Sequence, residues 1–245
     1  MSNSDTFFRP PHSNMKETTC FIVGSLGVIP LDIHSVAYNI IPAVYMIPLG
    51  LSIALSIRMG HIMSESPKRA QALAAISVAT TTLFGILLAA MFYYTRDFVV
   101  GRFTTNAEVI AGCREIWPNV CIVLILRFVY CINTGILRGL GMQWRMAGIV
   151  LLVLWFSCIP TLIHVGVYGG GGVVAIWTWL PYFYVALNVL LILCYILPDW
   201  ERINDSIEKK KTASELSADT TDNDVAVGEH GGLDGPHANE KTRLV

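Results

Sequence analysis

The sequence predicts an all-α protein integral to the membrane, built as one six-helix bundle whose first helix is cut short. Three observations carry this. The chain is 53% hydrophobic and 14% charged, with mean hydropathy +0.55, against about 25% charged residues in soluble domains. Its charges collect at the two ends and in short loops. Between them lie apolar stretches of the length that crosses a bilayer core of about 30 Å at about 1.5 Å per residue.

Residues 1–16 are polar, with Pro10-Pro11 and scattered Ser and Asn, and read as a disordered leader without the basic-then-apolar pattern of a cleavable signal. The first helix spans about 17–30; it is short, weakened by Gly24 and Gly27 and stopped by Pro30. The second spans 36–57 and carries Pro42, Pro48 and Gly50. Proline inside a membrane helix frees a carbonyl that a neighbouring helix or water must satisfy. Arg58 ends it, and residues 60–69 read as a polar loop.

The third helix spans 70–94. Its small residues Ala74, Ala75, Ser77 and Ala79, with Thr80 to Thr82, permit close helix approach, and Tyr93, Tyr94 and Arg96 suit an interfacial exit. In the loop that follows, Asn106-Ala107-Glu108 could start a short helix along the membrane surface. The fourth helix spans 117–137 and holds one charge near its middle, Arg127. The fifth spans 146–167 and is broken by Pro160. Gly169 to Gly172 fit only a turn. The sixth, rich in Trp, Tyr and Phe, spans 173–197.

Residues 201–245 are polar and acidic and read as a disordered cytoplasmic tail. Lys209-Lys210-Lys211 at its start is either a topology signal or a hold on anionic lipid. With six spans and both termini cytoplasmic, the inner side holds Arg58, Lys68, Arg69, Arg138, Arg145, Arg202 and these lysines. The outer side holds Arg96, Arg102 and Arg114, so the positive-inside rule favours this orientation. Should the first segment fail to span, only the N-terminus changes side. The host membrane is the plasma membrane or that of an organelle.

The net charge of −1 and the lack of a basic, aromatic-laced stripe give no sign of nucleic-acid binding. The six cysteines form no Cys-x-x-Cys pair and read as helix-packing residues. No enzyme signature, nucleotide loop or His-x-x-x-His is present, so the chain is not expected to be an enzyme or to use a cofactor. Transport would then be driven by an ion gradient. His34, His61 and His164 sit near membrane segments, either as packing residues or as proton relays.

Arg127 is the leading candidate for function. A charge at this depth is expensive unless water or a partner satisfies it; it faces a cavity or pairs with another helix. Gly135 and Gly139 give the Gly-x-x-x-Gly spacing of close helix packing. Arg138 between them is placed to bind lipid phosphate or helix-end carbonyls.

Three stretches together resemble the multidrug and toxic compound extrusion (MATE) family of secondary transporters. They are Ile47-Pro48-Leu49-Gly50-Leu51-Ser52-Ile53-Ala54 with Ser56-Ile57-Arg58-Met59-Gly60; Phe103-Thr104 with Glu108-Val109 and Pro118; and Gly135-Ile136-Leu137-Arg138-Gly139-Leu140-Gly141 with Gln143. Ile159-Pro160, Ile176-Trp177 and Asp199-Trp200-Glu201 fit the same pattern. The resemblance runs from about residue 17 to 202 and covers the C-terminal half of a family whose members carry two six-helix bundles with a substrate path between them.

The resemblance implies efflux of amphipathic organic solutes or xenobiotics in exchange for H⁺ or Na⁺. The partners it implies are the lipid bilayer, small organic solutes and a second bundle, supplied by homodimerisation or by a separate chain. A gene-model fragment and a non-transporting assembly subunit derived from the family remain alternatives. By family position, Glu17 falls at a coupling glutamate of the seventh helix. Arg127 falls where the tenth helix carries an Asp or Glu that serves coupling and cation binding. A guanidinium stays protonated and cannot do that work; it favours anionic or zwitterionic solutes, with Glu17 as its nearest counter-charge. Asn39, Tyr45, Tyr130 and Asn133 are the expected cavity-lining residues, Tyr130 and Asn133 on the face set against the other bundle.

Overall fold

A computed structural model describes residues 11–198 and residue 200, with side chains from residue 18 onward. The expected leader and tail therefore lie almost wholly outside the described residues. The described elements are α1 (Pro11–Gly24), α2 (Val28–Glu65), α3 (Pro67–Tyr94), the short α4 (Arg96–Val100), α5 (Ala107–Gly139), α6 (Gln143–Tyr168) and α7 (Gly172–Ile196). Five of these are long and apolar enough to cross a membrane: α2, α3, α5, α6 and α7. With the 14 residues of α1 they make the expected six-helix bundle with a short first member.

Several boundaries differ from the sequence reading. Pro30 does not stop α1; it lies in the first turn of α2, where a missing N–H leaves no bond unmade. Gly27 makes the break instead, at φ +120, a region that favours glycine. The loop expected over 60–69 shrinks to Ser66. The backbone stays helical through Glu65, and Ser66 is forced into an extended conformation (φ −159) by Pro67, which opens α3. Residues 107–116 do not form a separate surface helix. They are the first turns of α5, whose cap is Asn106, its side chain accepting from the Glu108 N–H at 3.0 Å.

α6 is interrupted as expected at Pro160, and the form of the interruption is specific. Wide π-type turns at Leu151–Cys158 and His164–Tyr168 flank the α-turn Ile159–Ile163. Pro160 donates no backbone bond, and the hydroxyl of the next residue, Thr161, donates to its own i−4 carbonyl, that of Ser157, at 2.8 Å. The glycine run turns the chain between α6 and α7, with Gly170 at φ +67 and Gly172 at φ +61.

α5 is the axis of the bundle. An apolar eighteen-residue stretch of α5 is 72% buried, against 22% in α2 and α3, 33% in α6 and 39% in α7. The others therefore pack around it and turn their outer faces to lipid. α2 approaches closest. A Cβ on Gly135 would stand 2.6 Å from Ser52 Oγ, and one on Gly139 2.6 Å from Met59 Cβ. Both glycines are thus required by the contact. α5 also turns Trp117 toward α3, where its indole N–H donates to the Phe92 carbonyl at 3.0 Å. The chain leaves α5 through paired bonds, Met142 N–H to Leu137 O at 2.9 Å and Gly141 N–H to Arg138 O at 3.1 Å, with Gly141 at φ +70.

Candidate functional site

Arg127 lies on the buried face of α5 and is 7% exposed. Its Nη1 donates to Tyr184 Oη of α7 at 3.1 Å. The guanidinium carbon lies 5.0 Å from the ring centre of Tyr45 on α2 and 5.8 Å from that of Tyr184, within cation–π range. Tyr130, three residues further along α5, and Tyr38, seven residues before Tyr45 on α2, lie on the helix faces that carry Arg127 and Tyr45. Among the described residues no carboxylate is within ion-pair distance of Arg127, and its buried Nε has no hydrogen-bond partner.

Below Arg127 the polar chain continues inside the bundle. Asn133, six residues further along α5, donates through Nδ2 to Asn188 Oδ1 at 3.0 Å. Tyr195 Oη donates to Asn133 Oδ1 at 3.1 Å. Asn188 Nδ2 donates to the carbonyls of Leu126 at 3.0 Å and Tyr184 at 2.8 Å. Tyr184, Asn188 and Tyr195 share one stripe of α7 through helical spacing. The network therefore ties the middle of α5 to α7 and holds Tyr184 where its hydroxyl meets Arg127.

A second polar knot joins α5 to α2. Ser52 Oγ donates to the Cys131 carbonyl at 2.7 Å and accepts from Arg138 Nη2 at 2.8 Å. Arg138 Nε also donates to the Thr134 carbonyl at 3.2 Å. Arg138 thus satisfies helix carbonyl and hydroxyl groups within the bundle.

The sequence-derived residues fall into three groups. Arg127 and Tyr45 are together. Tyr130 is half-buried near them, on the same face of α5. Asn133 does not sit on an open face awaiting another bundle: it is fully buried between α5 and α7, because its amide is matched there by Asn188 and Tyr195. Asn39 is exposed and lines a cleft of about 770 Å³ between α1 and α2, together with Tyr38, Ser35, Leu31 and Pro42. Glu17 belongs to α1, and its side chain lies outside the described residues. α1 packs on α2 and on the π-type turns of α6.

Sequence reasoning missed Tyr184, Asn188 and Tyr195. Asn188 was the available signal, as the one amide side chain in an otherwise apolar and aromatic α7. It also missed how His34 is held. His34 is fully buried, stacked on Tyr38 at 4.7 Å and 5.7 Å from the Trp177 ring, with no hydrogen-bond partner at either ring nitrogen.

The site as a whole is a fixed positive charge walled by tyrosines at the centre of a membrane bundle. It can hold negative charge; it cannot carry a proton, because a guanidinium does not release one in this setting.

Known proteins share this architecture. Multidrug and toxin extrusion protein 1 of Rattus norvegicus is 28% identical over 164 residues, which is 66% of this chain and 29% of the relative. The Homo sapiens protein of the same name is 29% identical over 128 residues, 52% of this chain and 22% of the relative. The crystal structure of the eukaryotic MATE transporter AtDTX14 superimposes with a TM-score of 0.69 at 22% identity, covering 74% of this chain and 41% of that one. A MOP superfamily transporter from Pyrococcus furiosus, described as having a binding pocket of reverse polarity, superimposes at 0.64 and 16% identity, covering 77% and 42%. The chain thus spans less than half the length of these relatives. The MatE family model matches residues 13–164. This multi-pass membrane protein belongs to the MatE family.

Proposed function

We propose that the chain is one bundle of a secondary active transporter that exports amphipathic organic solutes in exchange for H⁺ or Na⁺. The observation that carries this reading is family membership, joined to a bundle that keeps a charged, tyrosine-lined site at its centre. A buried guanidinium at this depth is costly to hold and does not serve packing alone. Alternating access in such folds works by one bundle rocking against another around a midplane site. The described bundle therefore needs a second one, from another copy or from a separate chain.

Two features fit a moving part. The π-type turns of α6 around Pro160 loosen that helix at its middle. The cleft between α1 and α2 is of the size that takes drug-like molecules, which is roughly 300–1,000 Å³. The test is flux in proteoliposomes. An imposed proton or sodium gradient should drive movement of an amphipathic solute, and the matching ionophore should abolish it. Absence of flux from folded, oligomeric protein would favour a non-transporting subunit derived from the family, the reading to which the lack of an acid at position 127 otherwise points.

A further inference from the structure

We infer that Arg127 is a binding site for the carboxylate or sulfonate of an amphipathic organic anion. This deepens the transport reading and rests on it only for calling the bound anion a transported solute. The guanidinium is more than nine-tenths buried, yet among the described residues nothing negative faces it. Its Nη1 is held by Tyr184. That leaves the opposite edge, formed by Nε and Nη2, and Nε has no partner there. The Nε–Nη2 edge is the side-on fork that meets both oxygens of a carboxylate in two parallel hydrogen bonds.

The tyrosines fix the fork without neutralising it. Tyr45 and Tyr184 offer ring faces to the cation, which stabilise positive charge but leave the N–H groups of the guanidinium plane available. A neutral hydroxyl at Nη1 likewise holds the group in place and leaves its net charge intact. The Asn133–Asn188 pair then fixes α7 behind Tyr184. A guanidinium held this way, with no counter-ion among the described residues, is a preorganised anion receptor.

The cleft between α1 and α2 supplies room for the rest of the solute. Its walls are largely apolar, with Phe21, Leu31, Tyr38 and Pro42, and it carries a few hydroxyl and amide groups from Ser35 and Asn39. Tyr38 lines this cleft and lies seven residues before Tyr45 on the same face of α2, and Tyr45 carries its ring beside Arg127. An aromatic body resting in the cleft and an acid group directed past Tyr38 match these two parts. An organic cation of the same shape would meet like charge at Arg127, which opposes binding most strongly where water is excluded.

The test uses the full chain in phosphatidylcholine nanodiscs and two probes that share a ring, 2-naphthoate and 2-naphthyltrimethylammonium. Calorimetry should show saturable binding of the naphthoate and at least about tenfold weaker binding of the ammonium. Arg127→Lys keeps the charge but not the fork, and should weaken the naphthoate by about tenfold or more. Arg127→Gln should abolish its preference over the ammonium. The wild-type comparison decides even if both variants fail to fold: equal affinity for the two probes, preference for the ammonium, or no binding of the naphthoate overturns the inference. Naphthoate binding without any gradient-driven flux leaves the anion site standing and removes the transport reading. Flux of organic cations without naphthoate binding does the reverse.

Discussion

Arg138 of α5 donates to the hydroxyl of Ser52 of α2 at 2.8 Å, and that same hydroxyl donates to the Cys131 carbonyl about two turns back along α5. A single serine therefore stitches two helices where their backbones are in close contact. Interhelical hydrogen bonds within membranes average about 0.6 kcal/mol and reach about 1.7 kcal/mol. With a charged donor, this one belongs near the upper end. A double-mutant cycle of Ser52→Ala and Arg138→Leu, read by reversible unfolding in micelles, should give a coupling of about 1–2 kcal/mol. Strict additivity would show that the bond contributes nothing.

The same crossing depends on two missing side chains. Gly139→Ala would place a Cβ 2.6 Å from Met59 Cβ and 2.7 Å from the Ser56 carbonyl. Backbone and a first side-chain carbon cannot swing aside as the tip of a long side chain can. Gly135→Ala and Gly139→Ala should each destabilise by about 1–3 kcal/mol. Gly148→Ala is the control, since nothing lies within 4 Å of its added Cβ. It should be neutral or gain less than about 1 kcal/mol from helix propensity. Equal effects at the three positions would refute the close-approach argument.

Asn133→Leu tests the buried network. It leaves the Asn188 carbonyl oxygen without its donor and the Tyr195 hydroxyl without its acceptor, a loss of about 1–3 kcal/mol. Asn39→Leu changes the same chemistry at an exposed position and should alter stability by less than about 0.5 kcal/mol. The comparison is read from unfolding midpoints of the two variants. A larger loss from Asn39→Leu would place the structural amide in the wrong helix.

Much of this was legible in the sequence for local reasons. The apolar length of residues 117–137 marks the central helix, and the spacing of Gly135 and Gly139 marks its closest neighbour contact. Pro160 and the glycine run mark the break and the turn. Pro30 misled because a proline that ends one helix and a proline that opens the next look alike; the choice was made by Gly27, whose positive φ only the fold displays. Arg127 stood out by its depth, but its surroundings did not. Tyr184 is 57 residues away in sequence, and the pairing arises because α5 and α7 are laid side by side. Asn133 was placed on the wrong face because its partner, Asn188, is supplied by that same packing.

Orientation is testable with cysteines placed at Ser66 and Thr212 in a background from which the native thiols have been removed. If α2 runs inward, five spanning helices would place the Ser66 turn and the sequence after α7 on one side, and the positive-inside rule predicts that this side faces the cytoplasm. Both should resist an impermeant thiol reagent on intact cells and react after permeabilisation. Labelling of both on intact cells would invert the topology.

Coupled ion movement tests the central claim most directly. Protein reconstituted at a density that favours pairs of bundles, in vesicles that report internal pH or sodium, should move H⁺ or Na⁺ in the direction opposite to an added amphipathic solute. The signal should require the protein and grow with the solute gradient. Solute-dependent ion movement of opposite direction is the predicted result. Vesicles containing folded, crosslinkable oligomers that move no ion in response to any amphipathic anion, cation or zwitterion would contradict the account.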